Sequence, residues 1–100
     1  MEKETLTKED ILEFLRINKD YFKRKFDVDN IMLFGSYARG EETSESDIDV
    51  LIKSDTKSFD NSYRLKIFLE KSLKKKVDVV YFDAVHPFIM RFISKELVYA

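Results

Sequence analysis

One hundred residues suffice for a single small core, and the 44% apolar content, with nine Phe and five Tyr, can fill it. Charged residues reach 37% yet nearly cancel to a net −1, which leaves no basic field to draw in nucleic acid. Cysteine is absent from the sequence, so a disulfide framework and a thiolate metal site are both excluded. The charged opening stretch Met1–Asp10 lacks the apolar segment of a signal peptide, and no run approaches the roughly 18 apolar residues of a membrane span. The expectation is one cytoplasmic domain over residues 1–100, with no membrane and no direct nucleic-acid partner.

Thr7 followed by Asp10 is a capping box with Asp in the place of Glu or Gln. Ile11, Leu15, Phe22 and Phe26 then fall on one helical stripe, which Leu12 and Phe14 broaden. The spacing predicts a helix over about 8–25 that covers one face of a sheet. Asp27 to Asn30 reads as a turn, and Ile31 to Phe34 as a short strand stopped by Gly35. Ser36 to Arg39 can form a helical turn, with Ser36 near its N-cap and Gly40 ending it. Glu41 to Ser46 is polar and loop-like.

Asp47 to Ile52 reads as a second strand, with Asp47, Asp49 and Leu51 on one face and Ile48, Val50 and Ile52 on the other. A second helix is expected over about 58–75, with Phe59, Tyr63, Ile67 and Leu73 among its apolar positions. Leu65, Phe68 and Leu69 widen that stripe, and Lys71, Lys74, Lys75 and Lys76 crowd the end where cations suit the helix dipole. Val77 to Phe82 is a third strand in which Asp78 is the sole charge and shares its face with Val80 and Phe82. Asp83 ends it, and His86 before Pro87 reads as the cap of a third helix over about 87–95. A short edge strand follows at Leu97 to Tyr99. The sum is an α/β (α+β) fold, a small mixed β-sheet with helices packed against it.

Two carboxylates on one strand face, with alpha carbons about 7 Å apart, repel each other and raise one pKa unless a cation lies between them. Hard oxygen ligands suit Mg²⁺ or Mn²⁺ better than zinc. Asp78 on a neighbouring strand would complete a carboxylate triad of the kind that two-metal sites use to hold a triphosphate and activate a hydroxyl. Gly35 allows a close backbone approach to phosphate, Ser36 adds a hydroxyl donor, and the N–H groups of the following turn can grip anionic oxygens. Plainer readings exist for each residue. Gly-Ser can be only a turn, Asp47 a loop cap, Asp49 the partner of a lysine, and Arg39 a surface bridge to Glu41 or Glu42. Tyr37 can line a pocket or simply pack.

Gly35-Ser36-x-Ala38-Arg39-Gly40, with ten residues between Ser36 and Asp47, then Asp47-x-Asp49 and an apolar strand, resembles the nucleotidyltransferase superfamily of DNA polymerase β. Within it the chain is most similar to the minimal nucleotidyltransferases, and the likeness runs from the first helix to the Lys95-Glu96-x-Val98 ending. The resemblance implies that Gly35 and Ser36 bind the nucleotide's β- and γ-phosphates, with Arg39 steadying a phosphate or the acceptor. It implies that Asp47, Asp49 and Asp78 ligate two Mg²⁺ ions, and that Asp78 serves as base for the acceptor hydroxyl. The implied reaction moves AMP from ATP to an acceptor and releases pyrophosphate.

Larger members of this superfamily carry acceptor-binding domains, and the length here leaves no residues for one, so another protein is expected to bring the acceptor. By the resemblance, that partner is a HEPN-domain RNase toxin, which the antitoxin neutralises by adding AMP to a tyrosine. The aromatic C-terminal segment with Phe88, Phe92 and Tyr99 would furnish an interface. The alternatives are an antitoxin acting by complex formation alone, and a nucleotidyltransferase acting on a small molecule or RNA.

Overall fold

The Thr7–Asp10 capping box forms with both halves present. The Asp10 N–H donates to Thr7 Oγ1 at 3.1 Å, and the Thr7 N–H donates to Asp10 Oδ2 at 3.0 Å. The computed structural model describes residues 6–100, so the first half of the charged opening stretch lies outside the described residues. Helix α1 spans Lys8–Ile17 and α2 spans Lys19–Phe26. The single helix expected over 8–25 is therefore broken, and Asn18 breaks it. Its side-chain amide donates to the Phe14 carbonyl at 2.8 Å, a local bond that competes with the helical ladder. The apolar stripe survives the break, because Ile11, Leu12, Leu15, Phe22 and Phe26 are all buried. Asp27 ends α2 in the left-handed conformation at φ 58°, and Val28 tucks into the core behind it.

Strand β1 (Asn30–Phe34) pairs antiparallel with β2 (Ile48–Lys53), with Leu33 opposite Val50 and Phe34 opposite Asp49. Strand β3 (Val77–Tyr81) runs parallel to β2 and places Asp78 beside Asp49. Strand β4 (Val98–Tyr99) lies antiparallel along the other edge of β1, giving the order β3-β2-β1-β4. The expected small mixed sheet is present. One face carries Ile31, Leu33, Ile48, Val50, Ile52 and Val77 into the core with the stripe of α1 and α2. On the other face Met32 and Leu51 pair across β1 and β2, both fully buried. The next row on that face is Phe34, Asp49, Asp78.

Helix α4 (Phe59–Leu73) reverses part of the expected stripe. Leu65 and Leu69 are its buried residues and Phe68 packs against the core, whereas Phe59 is 84% and Tyr63 51% exposed. Apolar residues occur all round this helix, so periodicity alone could not choose the inward face. Phe68 decides it by joining the rings of Phe14, Tyr21, Phe22 and Phe26. Helix α5 (Pro87–Ile93) starts with Pro as expected and stops short of Lys95. Phe88, Phe92 and Tyr99 are all more than half exposed. No helix among the described residues is long and apolar enough to cross a membrane.

Candidate active site

The carboxylates come from two adjacent parallel strands. Asp49, the second residue of β2, lies in register with Asp78 of β3, on the face opposite the one that carries Ile48 and Val50 into the core. No lysine neutralises Asp49, which has no salt bridge among the described residues. Burial raises its pKa first, and the charges of Asp78 and Asp47 and a hydrogen bond with Asp78 raise it further, to about 6. Arg39 pulls the other way, more weakly. Asp47 departs from expectation: β2 begins at Ile48, where the ladder to Val77 starts, so Asp47 stands exposed just ahead of the strand. Its charge reaches Asp49, yet among the described residues no three His, Cys, Asp or Glu side chains are gathered closely enough to hold a metal ion. A carboxylate pair is preassembled rather than a triad.

Gly35 brings the turn against this pair. Its φ of 81° and ψ of −159° lie in a region that essentially only glycine adopts. A Cβ placed there would overlap Asp49 Oδ2 and come within 3.1 Å of Asp49 Cγ. Gly35, and not Ser36, occupies the N-cap of α3 (Ser36–Arg39), and Gly40 ends α3 in the left-handed conformation as expected. The Ser36 hydroxyl makes no hydrogen bond among the described residues. Arg39 forms the plainer bridge, with Nε donating to Glu41 Oε1 at 2.9 Å, and a second one that sequence reasoning missed. Its Nη1 donates at 2.9 Å to Oε1 of Glu96, whose Oε2 accepts the Gly35 N–H at 2.7 Å. The only sequence signal was an acid placed just ahead of a short edge strand.

The remaining candidates are structural. Tyr37 is 2% exposed and packs in the core, with Lys75 Nζ at 5.9 Å from its ring centroid. Lys75 also donates to the Ser44 carbonyl at 3.2 Å, which ties the loop between the two halves of the motif to the end of α4. His86 caps α5, its Nδ1 accepting the Phe88 N–H at 3.0 Å. Glu70 fixes the start of β3. Its Oε2 accepts the Val77 N–H at 3.0 Å and Lys66 Nζ at 2.6 Å, one residue before Asp78.

A mixed sheet that sets a Gly-Ser turn against carboxylates on adjacent strands defines a nucleotidyl-transferring type of domain. The chain matches the nucleotidyltransferase domain family over residues 13–100, and it belongs to that family. It is 42% identical over 97 residues to a candidate protein adenylyltransferase of Methanocaldococcus jannaschii, a match covering 93% of this chain and 97% of that protein. It is 34% identical over 95 residues to protein adenylyltransferase MntA of Thermococcus cleftensis, covering 94% of this chain and 96% of that protein. Among solved structures, a toxin–antitoxin crystallised with AMP-PNP matches with a TM-score of 0.69 and 26% identity, over 94% of this chain and 72% of that one. The expected fold and family are both borne out.

Proposed function

We propose that this chain is an antitoxin that transfers AMP from ATP to a tyrosine of a cognate HEPN-domain RNase toxin in the cytoplasm, and so neutralises it. The observation that carries the reading is the register that sets Asp49 beside Asp78 and against Gly35. Its relatives are named as adenylyltransferases, and the matching structure that contains AMP-PNP is a toxin–antitoxin. Residues 1–100 act as one catalytic domain, and the acceptor arrives on the partner.

The site fits divalent cations by the chemistry of its donors. Asp49, whose proton affinity is raised by burial and by the charges of Asp78 and Asp47, has no ion-pair partner among the described residues, and with Asp78 it forms the anionic oxygen site that Mg²⁺ or Mn²⁺ favours. Asp47, Asp49 and Asp78 would hold the ions, with Asp47 drawn in from its exposed position. When bound, the metal supplies neutralisation of the triphosphate and acidification of the acceptor hydroxyl.

The side chains then have separate tasks. Gly35 lets the β- and γ-phosphates approach the backbone, Ser36 donates its free hydroxyl to them, and Arg39 offers its remaining N–H groups to an anionic oxygen. The tyrosine oxygen attacks the α-phosphorus of ATP while the bond from that phosphorus to the bridging oxygen of the β-phosphate breaks. Pyrophosphate leaves, and the tyrosine proton passes to Asp78. Positioning and charge stabilisation account for most of the catalysis, as phosphoryl-group chemistry requires.

The test is the intact mass of the partner after co-expression. Increments of AMP with the wild type, and none with Asp49→Asn, are expected. A neutralised partner of unchanged mass would support an antitoxin that acts by binding alone.

A further inference from the structure

We infer that Glu96 is a positioning residue for the proposed transfer, latching both ends of the Gly35–Arg39 turn to the edge of the sheet. The inference rests on the nucleotidyl-transfer reading above. Its basis is the β1–β4 register. Met32 lies opposite Tyr99 and Leu33 opposite Val98, so continuing the antiparallel ladder by two residues puts Gly35 opposite Glu96. The main-chain ladder has already ended there. Glu96 Oε2 takes over as acceptor for the Gly35 N–H at 2.7 Å, and Oε1 of the same carboxylate accepts Arg39 Nη1 at 2.9 Å. Both bonds involve a charged group, and such bonds are roughly twice as strong as neutral ones.

The geometry separates this role from competition with phosphate. Strands β2 and β4 flank β1 on opposite sides, so Gly35 is held from one side by Glu96 and meets Asp49 on the other. Glu96 therefore fixes the plane of the Gly35 peptide without entering the carboxylate row. Its side chain is 19% exposed, whereas that of Glu41, the other partner of Arg39, is 67% exposed. The less hydrated contact is the better anchor. Tyr37 and Ala38 bury the middle of the turn in the core, while its first residue has no side-chain cap, so Glu96 is the tie that holds its two ends, Gly35 and Arg39.

The sequence contains only two glycines, which makes the contact directly observable. Selective ¹⁵N-glycine labelling yields one amide resonance for Gly35 and one for Gly40, whose own bond to the Tyr37 carbonyl serves as the internal reference. Glu96→Ala is expected to move the Gly35 amide proton upfield and to leave Gly40 in place. Because a misplacement of about 1 Å can cost ~100-fold in rate, Glu96→Ala should lower kcat/KM for ATP by roughly 10- to 100-fold. Glu96→Gln, which keeps an acceptor for Gly35, should retain more activity and serves also if the Ala variant fails to fold. A folded variant with an unmoved Gly35 resonance, or with unchanged kcat/KM, overturns the inference alone. A wild type that does not transfer AMP to its partner overturns the underlying reading and this inference with it.

Discussion

Gly35 and Asp49 approach each other so closely that the space a side chain on Gly35 would occupy is filled by the Asp49 carboxylate. The glycine that opens the Ser36–Arg39 turn and the aspartate of β2 are thus fitted to one another. Gly35→Ala is expected to lose about 1–3 kcal/mol of stability from its positive φ alone, before the clash is counted. Asp49 must move, so transfer activity should fall further than stability does. Thermal melting and activity assays on the same folded sample separate the two effects.

The proton affinity of Asp49 predicts how metal binding depends on pH. Its pKa is pushed up to about 6, so protons compete with cations at this position well above the usual carboxylate range. Stabilisation by added Mg²⁺ or Mn²⁺ should be larger at pH 7.5 than at pH 5. Thermal shifts recorded at both values check this, and equal shifts would place the ions elsewhere.

The same shift makes Asp49 a cost to the fold. Its folded value exceeds the ordinary value of 3.8, so the native state binds the proton more tightly than the unfolded chain, and stability falls as pH rises between the two. Asp49→Asn removes the repulsion. Without divalent cation, that variant should melt above the wild type at pH 7.5, with the gap closing near pH 4. It should also be inactive, a trade of stability against function.

Glu70 supports Asp78 from a distance. It accepts the Val77 N–H and is bonded to Lys66, which with that N–H holds its carboxyl below the ordinary value. Stability from this contact is present above the unfolded pKa of about 4.5 and is lost as pH falls through the lower folded value. Glu70→Ala should lower the melting temperature by a few degrees at pH 7 and by less at pH 3. It should also loosen the start of β3, which amide exchange at Val77 reports.

The motif from Leu33 to Ile52 was legible because its chemistry is local: a glycine, a serine and two aspartates at short fixed spacing. Asp78 was legible because a lone charge in an apolar strand required an explanation, and strand parity put it on the correct face. The break at Asn18 was missed because a side-chain bond to Phe14 leaves the apolar period intact. The inward face of α4 was misread because Phe59 and Tyr63 are as apolar as Leu65 and Leu69, and only the ring cluster around Phe68 distinguishes them. The task of Glu96 is not legible in the sequence, since its partners lie 61 and 57 residues away. Contacts at that separation are set by the order of strands in the sheet.

The most direct test of AMP transfer uses ATP radiolabelled at either its α- or its γ-phosphate, with Mg²⁺ and the proposed HEPN-domain partner in purified form. The α-label is expected to become covalently attached to the partner and the γ-label to appear in pyrophosphate, with both lost in Asp49→Asn. Attachment of the γ-label to the partner, or undiminished α-labelling by Asp49→Asn, would contradict it.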